Sequence, residues 1–418
     1  MENGVKKLVA AMTGCLIADA KGAGHEMNSR EDLLSNVQEL NKRYFPRDPK
    51  FSKGYTPGDY TDDFEMTLAV LMALKEGDMK LNVNVLYKYF YQLYFETKEK
   101  FGVARAGYGS VSKLLEVWKA NGYEEFQKEL LKSMLTVKKN VTGDDAPGNA
   151  SLMRMTPIVF SKSYFEMIEN ALVNALSTKP HGYIVFSCVA LAIAGRYLTV
   201  ENGDPHHLID HTLKKFEEWR PFIMNYITEK REQMLQNVPN REEVEFLELE
   251  KLDEQFNHMS KQLSEIDQLP QPANPDSVYG PSFVYDKEVK KCNDKDEPDP
   301  IDGVNYYKLM YPYASPLKGK TGLGAKGEQT LYCALYCLKW HQQTTLWGNL
   351  LRIILFGGDT DTLGVCVLPY IYEWHCNNGS CNLPAWLFDN GEMYDPKIKR
   401  YGFNPDDFEK LVCSNLKP

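Results

Sequence analysis

Residues 357–362 read Gly-Gly-Asp-Thr-Asp-Thr, so two glycines are followed by two carboxylates that alternate with two hydroxyls. Apolar side chains then recur every three or four residues, at Leu363, Cys366, Val367, Tyr370, Ile371 and Trp374. This spacing predicts a helix with one buried face, and it places the polar residues on the turn that enters the helix. Their oxygens are the ligands that a hard cation such as Mg²⁺ prefers. The alternative is that Asp and Thr only cap the helix.

A second cluster of the same kind, Thr61-Asp62-Asp63, stands before another strongly apolar segment, for which Gly77 is the predicted helix stop. If the two helix entries meet, four carboxylates share one site. Two such charges about 4 Å apart repel by about 4 kcal/mol at an effective dielectric constant of 20. A pair of divalent ions would neutralise all four carboxylates, and two-metal sites are known catalytic devices. The two clusters together therefore favour a dinuclear metal site.

The composition indicates a globular protein whose main partner is not nucleic acid. The chain has 418 residues, of which 43% are hydrophobic and 25% charged, and its net charge is −9. An acidic surface of this kind is unsuited to a groove for nucleic-acid phosphates. The N-terminal sequence lacks the apolar run of a signal peptide, and the most apolar stretch, 183–194, is too short for a membrane span. We therefore expect no membrane association and a cytoplasmic location.

The cysteines favour a reduced compartment over a disulfide framework. There are nine, an odd number, and five of them stand in apolar helical patterns, where free Cys behaves as a small hydrophobic residue: Cys15, Cys188, Cys333, Cys337 and Cys366. His375-Cys376 with Cys381 resembles a zinc site only faintly, because the usual four-ligand spacing is missing.

The remaining chain is mainly helical, since apolar residues recur at helical spacing and no long alternating pattern predicts a strand. Helices are expected at 5–17, throughout 61–135, at 183–194 and at 328–340. The charged stretch 201–303 is interpreted as a helical insertion with an exposed loop from 270. Its apolar residues alternate four and three apart, as in a short heptad seam: Leu252, Phe256, Met259, Leu263 and Ile266.

Two further segments have weak functional signals. The small residues of Gly148-Asn149-Ala150-Ser151 lead towards an expected helix that starts at Leu152, and such an entrance exposes backbone N–H groups to an anion. His181 precedes the apolar helix, where it either caps the helix or contacts a ligand. Glu26 follows a glycine-rich bend and is, by base rate, a solvated loop carboxylate.

Together these motifs resemble the ADP-ribosylglycohydrolase family of all-α hydrolases with two magnesium ions, which remove ADP-ribose from proteins. The matching segments are Leu16 to Ala20 with Glu26, Thr61 to Asp63, Gly148 to Arg154, His181, and Gly357 to Thr362. Ala18 stands where the family usually has glycine, and Lys21 where an apolar residue is common. The resemblance implies an all-α, orthogonal multi-helix core in one domain over 1–418, with 201–303 as its insertion.

The resemblance also implies roles for individual residues. The metal ligands would be Thr61, Asp62, Asp63, Asp359, Asp361 and Thr362, holding two Mg²⁺ ions or Mn²⁺ in their place. Catalysis would involve Glu26, Asp62 and Asp63. The ADP-ribose would contact Gly148, Asn149, Ala150, Ser151, Met153 and His181. The expected substrate is an ADP-ribosylated protein or another ADP-ribose conjugate, cleaved at the anomeric carbon. The alternatives are an inactive ADP-ribose-binding relative and a two-metal phosphohydrolase that cleaves the diphosphate.

Overall fold

The structure is a computed structural model that describes residues 2–40, 57–101, 108–135, 148–178, 180–237, 249–272, 309–310, 313, 323–380 and 383. Over these residues the regular structure is helical, and β-structure is limited to isolated bridges, which confirms the predicted all-α class. In chain order the α-helices are α1 (Glu2–Gly22), α2 (Arg30–Ser35), α3 (Val37–Leu40), α4 (Asp62–Glu76), α5 (Val83–Phe101), α6 (Gly109–Asn121), α7 (Tyr123–Leu135), α8 (Tyr164–Leu176), α9 (Gly182–Thr199), α10 (Leu208–Gln236), α11 (Leu249–Asp267), α12 (Gly327–Lys339), α13 (Leu346–Ile354) and α14 (Thr360–Asn377).

The closest helix packing joins α1 to α14, which run antiparallel. Gly14, Ala18 and Gly22 are four residues apart and form a stripe of small residues on α1. A Cβ on Gly14 would lie 2.8 Å from the Cβ of Tyr372, so only glycine fits this contact. Ala18 lies opposite Gly364 of α14, where an added Cβ would lie 3.1 Å from the Cβ of Ala18. The methyl group of Ala18 is thus accommodated by a glycine on the facing helix.

The predicted insertion contributes to the hydrophobic core. Helix α11 packs against α9, α10 and α12, and its heptad residues are buried: Leu252, Phe256, Met259, Leu263 and Ile266. Gly182, the first residue of α9, approaches α11 so closely that a Cβ would lie 2.8 Å from Cδ2 of Leu252. The heptad seam therefore packs inside this fold. The loop predicted from 270 lies mostly outside the described residues.

Two predicted helix boundaries were wrong. Helix α1 continues past residue 17 to Gly22, and α9 continues through Gly195 and Arg196 to Thr199. Gly195 lies inside α9, and this position requires glycine because a Cβ there would lie 2.7 Å from Cε1 of Tyr370. By length and composition α9 could cross a membrane, but 83% of it is buried inside the protein, as in the core helix of a globular fold.

The helix expected from Leu152 is absent: residues 150–154 form turns, and a short 3₁₀-helix follows at Ile158–Phe160. The helix entrance predicted next to Gly148 was therefore wrong. Five cysteines are free and buried, as expected: Cys15, Cys188, Cys333, Cys337 and Cys366. Cys376 departs from the expectation because it is disulfide-bonded, so its sulfur is not a thiolate that could bind zinc.

Candidate active site

The glycine pair before α14 allows three backbone segments to meet. Gly357 and Gly358 have φ angles of +79° and +78°, and a Cβ on Gly358 would lie 2.0 Å from the carbonyl oxygen of Leu323. The Gly358 N–H donates to the Asn28 carbonyl at 2.9 Å, and the Asp359 N–H donates to the Leu323 carbonyl at 3.0 Å. The segment that follows Glu26 is thereby held beside the turn that carries Asp359.

The entry of α4 is held from α1. Thr61 is the N-cap of α4, and its hydroxyl oxygen accepts from the Asp63 N–H at 3.4 Å. The Asp19 carboxylate accepts from the Thr61 N–H at 2.8 Å, from the Phe64 N–H at 2.9 Å and from the Thr61 hydroxyl at 2.7 Å. Asp19 therefore satisfies N–H groups that the start of a helix leaves without intrahelical partners.

The two helix entries meet. The Thr362 hydroxyl of α14 donates to Oδ1 of Asp63 on α4 at 2.9 Å. One carboxylate oxygen from each of Asp19, Asp63 and Asp361 lies within 4.8 Å of the others, and the same holds for Glu26, Asp359 and Asp361. Asp361 belongs to both groups. The fold thus brings residues about 300 positions apart into one acidic cluster made of two adjoining groups.

The ligand chemistry of this cluster fits a hard divalent cation. Asp19, Asp63, Asp359 and Asp361 are buried, while Glu26 is half-buried. Burial raises the pKa of Asp63 well above its usual range, and the charges of Asp62, Asp19 and Asp359 raise it further, against the hydrogen bond from Thr362. Buried carboxylates at such short distances require protons or cations. Since the donors are all oxygens, they suit Mg²⁺ or Mn²⁺ better than a soft metal.

Asp62 and Thr61 are also buried at the cluster. The charge of Asp62 acts on Asp63, but Asp62 is in neither of the two groups. The structure therefore brings together five of the six residues predicted as metal ligands: Thr61, Asp63, Asp359, Asp361 and Thr362. Asp62 precedes Asp63 in the chain, and the ligand role of all six stays a prediction.

The loop from Gly148 reaches the cluster through Asn149. Gly148 forms an isolated bridge with Lys326, and the Asn149 N–H donates to the Ala325 carbonyl at 3.0 Å. The Asn149 side-chain amide donates to Oδ2 of Asp359 at 2.8 Å and to the Thr330 hydroxyl at 3.1 Å. Asn149 thus contacts the acidic cluster itself, in addition to its expected role at the ADP-ribose.

Other residues of this loop point into the interior. Ser151 is buried with its hydroxyl oxygen 2.8 Å from that of Thr178, and the buried Met153 accepts a hydrogen bond at its carbonyl from the Thr67 hydroxyl at 2.9 Å. Ala150 is half-buried. Arg154 is fully buried and donates to Oδ1 of Asn174 at 2.9 Å, and burial lowers its pKa to about 10. The side chains of Ser151 and Arg154 therefore hold the loop to the end of α8 and the residues after it.

His181 caps α9, as one of its two sequence interpretations expected. Its Nδ1 accepts from the Tyr183 N–H at 3.2 Å, and its ring stacks on that of Tyr183 with centroids 5.6 Å apart. With Nδ1 as the acceptor, the neutral ring carries its proton on Nε2. Its predicted contact with ADP-ribose is compatible with this cap and remains a prediction.

Asp19 was not predicted as a member of the cluster. The sequence did contain a signal for Asp19, because Asp19 continues the helical spacing of Met12 and Cys15. That spacing would have placed an acidic side chain on the buried face of α1. The link from Asn149 to Asp359 had no such signal, since the two residues are 210 positions apart.

Comparison with known proteins agrees with this arrangement. The family model described as ADP-ribosylglycohydrolase matches residues 2–367. A solved structure described as "ADP-ribosylglycohydrolase-related protein complex" shares the fold, with a TM-score of 0.51 and 13% identity, over 99% of this chain and 98% of that chain. No curated protein matches the chain. The match to the family model spans most of the sequence and includes every residue of the acidic cluster, so the chain belongs to the ADP-ribosylglycohydrolase family.

Proposed function

We propose that this protein removes ADP-ribose from modified protein side chains, by hydrolysis at the anomeric carbon, with two Mg²⁺ ions as its cofactors. Membership of the family supports a hydrolase of ADP-ribose linkages. The observation that carries the finer proposal is the position of Asp361, which belongs to both acidic groups. One carboxylate that adjoins two groups of oxygen ligands suits a dinuclear site.

The proposed ligands are Thr61, Asp62, Asp63, Asp359, Asp361 and Thr362, whose carboxylate and hydroxyl oxygens fit Mg²⁺ and, as a substitute, Mn²⁺. When bound, such ions neutralise the carboxylates, orient the ribose hydroxyls and lower the pKa of a bound water. Proton transfer and contacts with the substrate are assigned to the protein itself.

Glu26 is proposed as the acid–base residue. It lies in one group with Asp359 and Asp361, and it is half-buried where they are buried, so it is the most solvent-accessible residue of that group. From there it can take a proton from the attacking water, or give one to the leaving group. The surrounding carboxylates stabilise the positive charge that develops on the ribose in glycoside hydrolysis.

The loop from Gly148 to Met153 and His181 are proposed to bind the diphosphate and ribose of the substrate. The support for the loop is the hydrogen bond from Asn149 to Asp359, which joins it to the acidic cluster. The role of His181 rests on the family resemblance. The proposed substrates are ADP-ribosylated proteins, and the proposed location is the cytoplasm.

The test is incubation with peptides ADP-ribosylated on arginine or on serine, with Mg²⁺ or with EDTA. We expect Mg²⁺-dependent release of free ADP-ribose, and we expect the double substitution Asp62→Ala, Asp361→Ala to abolish release while far-UV circular dichroism stays helical. Release of AMP would indicate a phosphohydrolase. Binding of ADP-ribose without any product would indicate an inactive relative, and turnover by the double variant would contradict the metal assignment.

A further inference from the structure

We propose that Asp19 is a positioning residue, which caps α4 from the neighbouring helix α1 and fixes the hydroxyl proton of Thr61. The Thr61 oxygen is thereby oriented to offer a lone pair to a cation. This inference rests on the proposed metal site and adds to it a residue that does not itself need to bind the ion.

The capping geometry supports the first part. Asp19 is fully buried on α1 and accepts three hydrogen bonds from the first residues of α4, two from N–H groups and one from a hydroxyl. By contrast, the N-cap Thr61 accepts from the Asp63 N–H at 3.4 Å, which is long for a hydrogen bond. The start of α4 is therefore held mainly by Asp19, whose negative charge also suits the positive end of the helix dipole.

The position of the Thr61 proton supports the second part. A threonine hydroxyl has one proton and two lone pairs. Two carboxylate oxygens compete for that proton: Oδ1 of Asp19 at 2.7 Å and Oδ2 of Asp63 at 3.2 Å. The shorter bond assigns the proton to Asp19. One lone pair of the Thr61 oxygen accepts from the Asp63 N–H, so the other stays free for the cluster, and Oδ2 of Asp63 stays available as a ligand.

The hydrogen bonds of Asp19 also explain why its role is positioning. Its Oδ2 accepts two N–H groups, and its Oδ1 accepts the Thr61 hydroxyl. A carboxylate oxygen with two N–H donors has both of its lone pairs engaged. Oδ1 keeps one lone pair beside its bond to Thr61, and one Asp19 oxygen lies within 4.8 Å of oxygens of Asp63 and Asp361. Its role is positioning because the three hydrogen bonds above all lead to Thr61 and the start of α4.

The experiment measures the affinity of the full-length protein for Mn²⁺ by isothermal titration calorimetry, with no substrate present. Asp19→Asn exchanges one carboxylate oxygen for an amide NH₂. The amide oxygen can still accept from the N–H groups of Thr61 and Phe64, but the NH₂ then faces the Thr61 hydroxyl and cannot accept its proton. We expect Mn²⁺ binding to weaken about 10- to 100-fold, as is usual when the partner of a metal ligand is lost. Glu65→Gln is the matched control. Glu65 is equally buried on α4 and accepts from the hydroxyls of Thr97 and Tyr108, so its substitution should leave Mn²⁺ affinity close to that of the wild type.

Thr61→Val tests the same idea without changing Asp19, and Thr61→Ser keeps the hydroxyl. Thr61→Val should weaken Mn²⁺ binding, whereas Thr61→Ser should bind Mn²⁺ with an affinity close to that of the wild type. Adding Asp19→Asn to Thr61→Val should cause little further loss of affinity, because the two residues act as one unit. Thermal unfolding in EDTA identifies any variant that fails to fold. The inference is overturned if Thr61→Val binds Mn²⁺ as the wild type does, or if the losses from Asp19→Asn and Thr61→Val are additive. A wild-type protein without Mn²⁺ binding would overturn the proposed function as well.

Discussion

Gly22 of α1 lies directly against the backbone of Asp361, and a Cβ on Gly22 would lie 2.5 Å from the Cα of Asp361. The Thr360 hydroxyl also donates to the Gly22 carbonyl at 3.0 Å. Asp361, whose carboxylate is shared by the two acidic groups, can therefore occupy its position only because Gly22 of α1 has no side chain.

Gly22→Ala is expected to push the start of α14 away from α1. Overpacking of this kind costs about 1–3 kcal/mol, so the free energy of unfolding should fall by that amount, and Mn²⁺ affinity should fall with it. Gly4→Ala is the control, because Gly4 lies on the same helix and a Cβ there has no atom within 4 Å. Chemical denaturation and Mn²⁺ titration of both variants provide the test, and equal behaviour of the two would refute the close-contact argument.

Asn149→Ala removes the donor that holds Oδ2 of Asp359. Losing such a partner usually costs about 10- to 100-fold in metal affinity or activity. We expect the Mg²⁺ concentration needed for half-maximal hydrolysis to rise by this factor. The free energy of unfolding without metal should fall by about 1–3 kcal/mol, because a buried carboxylate loses a hydrogen-bond donor. A change in KM for the ADP-ribosylated peptide alone, with an unaltered Mg²⁺ requirement, would show that Asn149 serves the substrate and not Asp359.

Metal-free protein should lose stability as the pH rises, because burial and neighbouring carboxylates raise the pKa of Asp63 in the folded state. A raised folded pKa gives stability that is present below the unfolded pKa and is lost as the pH rises through the folded value. Asp63→Asn should flatten this part of the profile in EDTA. Mg²⁺ at 100 times its dissociation constant should add about 2.7 kcal/mol to the wild type. Differential scanning fluorimetry across pH tests both statements, and a stability profile in EDTA that Asp63→Asn does not change would contradict the first.

A second pH effect is expected at the far end of α14. Glu373 is buried with its Oε1 3.7 Å from Nζ of Lys7, and burial raises its pKa to about 7. Its contribution to stability is therefore complete at low pH and is lost as the pH rises towards and through 7. Glu373→Gln mimics the protonated form, so its melting temperature relative to the wild type should increase between pH 5 and pH 8. A difference that is independent of pH would mean that Glu373 does not titrate in this window.

Helical spacing was enough to predict the all-α class and the helices that carry the site, because a buried stripe is a local property of the sequence. The predicted end of α9 was wrong because Gly195 directly follows the apolar stretch 183–194 and yet lies within the helix, where the Tyr370 ring leaves no room for a side chain. Gly22 is the last residue of α1, so the glycine-rich bend does end that helix, although later than residue 17. A single sequence does not distinguish a glycine that ends a helix from a glycine that allows another element to approach closely.

Those site residues could be predicted that lie close together in the sequence. Thr61 to Asp63 and Asp359 to Thr362 could be chosen because each cluster precedes an apolar helix. Asp19 and Asn149 reach the cluster through hydrogen bonds to Thr61 and Asp359, across 42 and 210 positions of the chain. Helical spacing could have placed Asp19 on the buried face of α1, but which residues Asp19 and Asn149 contact depends on how α1 and the loop after Gly148 pack, and no local pattern encodes that packing.

The most direct test of the dinuclear site is an anomalous difference map from crystals of the wild-type protein grown with Mn²⁺. The proposed dinuclear site predicts two peaks, about 3.5–4 Å apart, at the two acidic groups that share Asp361. One peak should lie towards Asp63 and the other towards Asp359 and Glu26. A map with no peak at these residues while Mn²⁺-dependent hydrolysis persists would contradict the account.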